Sequence, residues 1–219
     1  MAKEFGNKDQ KEKSRTLTEA EKKRLENFNA LTDSMVADGY KKTELTVGIV
    51  GANIFAIILL IPLSAIGIWL FILKNKTIHF TQLSLSDYLL FFGIFLILIV
   101  VHELIHGISW SVFTKDHFKD IEFGIMWQYL TPYCTCKVPL SKGQYIFGAV
   151  MPLVALGILP MIIGILINSF PTLIMGILMA DSAAGDILII WNILRYKSNA
   201  KDIVYIDHPT QAGGVIFEK

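Results

Sequence analysis

Charge is scarce beyond residue 46. The first 46 of the 219 residues hold ten of the twenty Lys and Arg and nine of the nineteen Asp and Glu, which leaves 173 residues with little charge. Soluble domains carry about 25% charged and about 45–50% apolar residues; here the fractions are 18% and 53%, and the mean hydropathy is +0.51. Basic residues form no stripe, which argues against a nucleic-acid partner, and the apolar content excludes a disordered chain. Cysteine is nearly missing. Cys134 and Cys136 alone cannot supply a disulfide framework, and partners two residues apart fit disulfide geometry poorly. The first 46 residues also lack the apolar run of a signal peptide, so the first apolar segment reads as a retained anchor.

What is present is a polar head on an apolar body. Residues 1–17 are polar and lysine-rich. Thr18 and Glu21 fit a capping box, and Leu25, Phe28, Leu31 and Met35 recur at helical spacing up to Gly39. This predicts an amphipathic helix over about 19–37, lying near a membrane surface. Four apolar stretches follow: Val47–Leu73, Tyr88–Phe113, Gln144–Ile167 and Pro171–Leu194. Each approaches or exceeds the roughly 20 residues that cross a bilayer core as helix. Pro152 and Pro160 predict kinks in the third. Basic residues gather in 1–46, in the 114–143 loop and after Arg195, which predicts both termini in the cytosol.

Within the 114–143 loop, Ile121, Phe123, Ile125, Trp127 and Tyr129 alternate with other residues at the period of a strand. A strand over 121–130, a turn at Thr131-Pro132 and a return over 133–138 make a small hairpin at the cytosolic interface. The expected architecture is an all-α membrane protein with about four transmembrane helices, this cytosolic-side β-hairpin and the N-terminal amphipathic helix. Its parts are a polar segment 1–46, a transmembrane catalytic domain 47–196 and a cytosolic tail 197–219.

Chemistry concentrates in His102-Glu103-Leu104-Ile105-His106. Residues four apart lie about 40° apart on one helix face, so both imidazoles can bind one Zn²⁺ with the intervening Glu beside it as general base. Ionisable groups are costly within a membrane, and three within five residues require a compensating partner such as a dication. A buried polar cluster that pairs with another helix, or lines a transport path, is the alternative.

Catalytic zinc takes three protein ligands and leaves one position open. Asp181 and Asp186 are the candidates for the third. His106 and His102 lie about 10 and 16 Å from the cytosolic end of their span, Asp186 about 13 Å and Asp181 about 21 Å. Depth selects Asp186, and the two acids point about 140° apart. Asp181 is left a polar or supporting role. The small residues Ala180, Ser182, Ala183, Ala184 and Gly185 permit close helix approach. Cys134 and Cys136 lack the second pair of a structural zinc site. His79, His117 and His208 are expected in exposed loops or tail, and Trp69, Trp110, Trp127 and Trp191 as interfacial anchors.

The motif HELIH, the stretch Thr131-Pro132-Tyr133-Cys134 with Pro139-Leu140-Ser141, and Ala184-Gly185-Asp186-Ile187 resemble the zincin peptidase family of bacterial membrane proteins. The resemblance covers about residues 38–196 and is similar in layout to the site-2 proteases, which cut substrates within or beside the membrane. It implies zinc held by His102, His106 and Asp186, with Glu103 as the catalytic acid/base. It departs from the site-2 pattern in placing Gly185 before Asp186 rather than after it.

The expected function is hydrolysis of peptide bonds in membrane-associated proteins of a bacterial plasma membrane. Zn²⁺ would activate the water, Glu103 would take its proton, and the 121–130 strand would receive the unwound substrate. The alternative is a non-proteolytic metal-binding membrane protein, such as a transport accessory or sensor. A degenerate scaffold that binds transmembrane partners is a third reading.

Overall fold

The structure, a computed structural model, describes residues 17–76, 84–127 and 131–219. The expectations for residues 1–16, for His79 and for 128–130 lie outside the described residues.

Helix α1 (Glu19–Ala37) starts as expected: Thr18 and Glu21 cap each other's backbone N–H groups reciprocally. Helices α2 (Ile49–Asn75) and α3 (Leu85–Ser111) are long and apolar enough to cross a membrane. So is the segment Lys142–Leu166. It runs as α4 (Lys142–Pro152), a π-helical stretch (Leu153–Ile158) and α5 (Leu159–Leu166). The prolines expected to kink this span therefore bracket a stretch of i→i+5 bonding.

The fourth apolar stretch is broken. Helix α6 (Phe170–Ser182) meets α7 (Ala184–Arg195) at a 46° bend. The Ser182 hydroxyl donates to the Met179 carbonyl at 2.7 Å, the kind of back-bonding that bends helices. Among the described residues, three helical segments are long and apolar enough to cross a membrane, or four if the bent pair crosses as one. Packing around the break is close: a Cβ on Gly157 would crowd Ala180, and a Cβ on Gly176 would crowd Met161. Of the small residues expected to permit close approach, Ala180 serves helix contact, whereas Gly185 has open space around it.

The hairpin is present with adjusted limits. Strands β2 (Ile121–Met126) and β3 (Thr131–Cys136) pair antiparallel with Phe123 opposite Cys134. Thr131 and Pro132 belong to β3 rather than to the turn. Pro132 sits at the strand start, where its missing N–H costs least.

The all-α label needs correcting. A second, four-stranded antiparallel sheet has the order β1-β6-β5-β4, built from β1 (Lys41–Thr46), β4 (Leu140–Ser141), β5 (Ile203–Asp207) and β6 (Gly213–Glu218). It draws strands from all three segments set apart in the sequence. Its faces follow the strand period of two. Ile206, Val215 and Phe217 pack under Phe28 of α1, whereas Tyr205 and Ile216 pack with Trp110, Tyr145 and Ile193 of the helices. The molecule remains mostly helical, with this sheet wedged between α1 and the ends of α3, α4 and α7.

Candidate metal centre

Helix α3 carries His102 and His106 on one face, one turn apart, and both are buried. Asp186 comes from the first turn of α7, just past the bend, where a carboxylate also meets the helix N-terminus favourably. The three side chains converge. His102 Nε2 lies 3.1 Å from His106 Nε2 and 3.1 Å from Asp186 Oδ2, and His106 Nε2 lies 3.4 Å from the same oxygen. Donors about 2.0–2.1 Å from a tetrahedral zinc stand about 3.3 Å apart, so this triangle has the edge lengths of one face of such a site. Two imidazoles and a carboxylate are also a donor set suited to zinc. The residues fit the metal.

The ring of His106 is held on three sides. Its Nδ1 lies 2.9 Å from the Gly148 carbonyl, which can only accept, so Nδ1 donates and the Nε2 lone pair stays available. Gly148 would normally give that carbonyl to the N–H four residues later, but residue 152 is proline and has none. Pro152 thus leaves the acceptor for the imidazole. Trp110, one further turn along α3, stacks on His106 with ring centroids 5.1 Å apart, and its indole N–H donates to the Tyr145 carbonyl at 3.1 Å. A Cβ at Gly148 would overlap that indole, so this contact requires glycine. His102 Nδ1 is buried without a hydrogen-bond partner among the described residues.

Glu103 projects beside the triangle into a cleft of about 180 Å³. The Cys134 N–H of β3 donates to its carboxylate, and the Cys136 N–H of β3 donates to Asp207 Oδ2 at 2.8 Å. The outer edge of β3 therefore faces the cleft. Strand β2, the edge expected from the sequence to meet a peptide, contributes Met126 alone to the lining. The remaining walls include Pro132 and Tyr133, the 208–213 loop and, at the mouth, Glu21 and Arg24 of α1. Arg24 lies 4.5 Å from the centre of the Tyr133 ring and 3.7 Å from Glu122, so α1 roofs the hairpin.

The other candidates divide. Among the described residues only His102, His106 and Asp186 form a group of three or more metal-capable side chains. Asp181 stays outside it, with Oδ1 buried and lacking a hydrogen-bond partner among the described residues. Both cysteines are free thiols, and burial pushes their ionisation up, Cys136 to about 12. His117 is exposed, as expected. His208 is not a freely exposed tail residue: it lines the cleft, and its Nδ1 accepts from the N–H groups of Thr210 and Gln211. Trp69, Trp127 and Trp191 are exposed, but Trp110 is 4% exposed and belongs to the centre. Its signal was in the sequence, since 102, 106 and 110 share one helix face. Tyr145 and Asp207 carried no comparable signal.

No curated protein and no solved structure matches the chain. Residues 95–201, which include the part of α3 that carries His102 and His106, the hairpin and the bent pair, match the model of the family described as "Putative zincin peptidase".

Proposed function

We propose that this protein is a membrane-embedded zinc metallopeptidase of the HExxH type, similar in layout to the site-2 proteases. Its proposed substrates are membrane or membrane-associated proteins. The observation that carries the reading is the triangle of His102, His106 and Asp186, with His106, Asp186 and Glu103 lining one cleft. These three side chains would hold the metal, which when bound supplies Lewis acidity towards a carbonyl and acidifies water.

The chain's own residues do the rest. Glu103 takes the proton of the attacking water and returns it to the leaving amine. The Cys134 N–H orients the Glu103 carboxylate for that transfer. A peptide must be unwound to be cut, because helical carbonyls are already hydrogen-bonded. Pro132 has no N–H and that of Cys134 meets Glu103, so along 132–134 the outer edge of β3 can offer an extended substrate carbonyl acceptors alone. The spread of Lys and Arg supports a cytosolic location for both termini, and a bacterial plasma-membrane setting rests on the family resemblance alone.

The test is metal analysis of wild type, Glu103→Gln and Asp186→Ala, together with a comparative membrane proteome of wild type and Glu103→Gln. The expected result is one zinc per chain in the first two, loss of metal in the third, and substrates accumulating uncut in Glu103→Gln. Full cleavage by Glu103→Gln would sink the mechanism. Zinc in the wild type with no protein cut would favour the non-proteolytic alternative.

A further inference from the structure

Asp207 ends β5, beyond the residues that match the family model, and is half-buried where it lines the cleft. Tyr145 of α4 donates its hydroxyl to Oδ1 at 2.6 Å, and the Cys136 N–H of β3 donates to Oδ2 at 2.8 Å. The Thr135 hydroxyl is a third donor. Burial pushes the carboxyl above the ordinary Asp range, and these donors oppose that rise. Three donors on two other elements converge on this one carboxylate, so shifting it would leave them unpaired.

Two of these donors lead to the centre. Tyr145 accepts the Trp110 indole N–H on its own carbonyl, and Trp110 stacks on His106. Cys136 lies two residues from Cys134, whose N–H meets Glu103. Strand period places both amides on the outer edge of β3, so pinning one sets the other. Asp207 also takes the Cys136 N–H out of use.

We propose that Asp207 is a positioning residue for the metal centre, bracing His106 through Tyr145 and Trp110 and Glu103 through β3. This rests on the metallopeptidase reading and deepens it, since it makes the C-terminal sheet part of the catalytic unit.

The probe is Co²⁺ alone, added to the metal-free full-length protein in detergent. Its binding constant and its visible absorption per bound ion are compared among wild type, Asp207→Asn, Tyr145→Phe and the double variant. The aspartate variant is nearly isosteric and loses one acceptor; the tyrosine variant loses one hydroxyl. Outer partners of metal ligands typically contribute about 10–100-fold to metal affinity. The expected result is a loss of at least about tenfold for Asp207→Asn and a smaller loss for Tyr145→Phe, with an altered spectrum in both. The double variant should be no worse than Asp207→Asn, because the two residues share one interaction. A merely structural role would change stability and leave the spectrum per bound ion unaltered. Wild-type affinity and spectrum in both folded single variants overturn the inference and leave the metal centre standing. Absence of cobalt binding by the wild type overturns the centre itself, and the inference with it.

Discussion

At the scale of single residues, Pro152 shows how a missing atom contributes. A proline inside a helix removes an N–H donor and ordinarily costs about 3 kcal/mol against alanine. Here the carbonyl it leaves unpaired, that of Gly148, receives the His106 Nδ1 proton. Pro152→Ala restores an N–H that competes for this carbonyl. Two measurements should then move apart. The thermal midpoint of the metal-free protein should hold or rise, while zinc affinity should fall about tenfold or more, as for loss of an outer partner of a ligating histidine. Competition with a chelator of known affinity reads the second quantity. Unchanged zinc affinity would show that the imidazole keeps its orientation without an exclusive acceptor.

At the scale of elements, the turn between β5 and β6 depends on one neutral imidazole. His208 Nδ1 accepts from Thr210 N–H at 3.2 Å and from Gln211 N–H at 3.0 Å, which requires that nitrogen to be unprotonated. Burial holds its pKa below the ordinary 6.5, with Glu44 opposing and Lys42 assisting that shift. Below pH about 6.5 the unfolded chain therefore takes up a proton that the folded chain resists, so stability falls as pH drops through that window. In His208→Asn the side-chain oxygen can accept the same two N–H groups without titrating. The difference in thermal midpoint between wild type and variant should thus shrink or reverse between pH 7 and pH 5. A constant difference across that range would exclude a titrating role for His208. The same elements show what the sequence left unread. Thr18 with Glu21 marked the start of α1, and the alternation from Ile121 marked β2, because each pattern lies within one element. Strands β5 and β6 are short and nearly buried on both faces, so Val215, Ile216 and Phe217 show no alternation. Strand β1 is legible in the sequence only as part of the polar segment 1–46, because an edge strand can carry residues such as Lys41 and Lys42. The bend at Ala183 came from local bonding at Ser182, with no proline beside the break to mark it. Asp207 was hidden because its partners, Tyr145 and Cys136, lie more than sixty residues away in sequence.

For the whole molecule, the decisive fact is that His102 and Asp186 are 84 residues apart and still meet at 3.1 Å. Depth arithmetic on two helices was enough to choose Asp186 over Asp181, since a membrane span fixes height along one axis. It could not foresee the bend before α7, nor the sheet that closes the cleft from the other side. Joining α3 to α7 through three ionisable groups in apolar surroundings makes the folded state a metal receptor that the unfolded chain lacks. Ligand binding to the folded state alone stabilises by about 2.7 kcal/mol at one hundred times the dissociation constant. Wild-type protein in detergent should therefore lose several degrees of thermal midpoint when a chelator removes its zinc, and regain them when zinc is returned. Asp186→Ala should show neither change, because two imidazoles alone hold the ion weakly. Glu103→Gln should show both, since Glu103 lies beside the ligand triangle rather than in it. If the Glu103 variant loses its zinc response along with Asp186→Ala, Glu103 is a ligand and the assignment of a separate proton-transfer group fails. If Asp186→Ala keeps a wild-type response, the third ligand comes from elsewhere, and the convergence of α3 and α7 is a packing feature of the bundle.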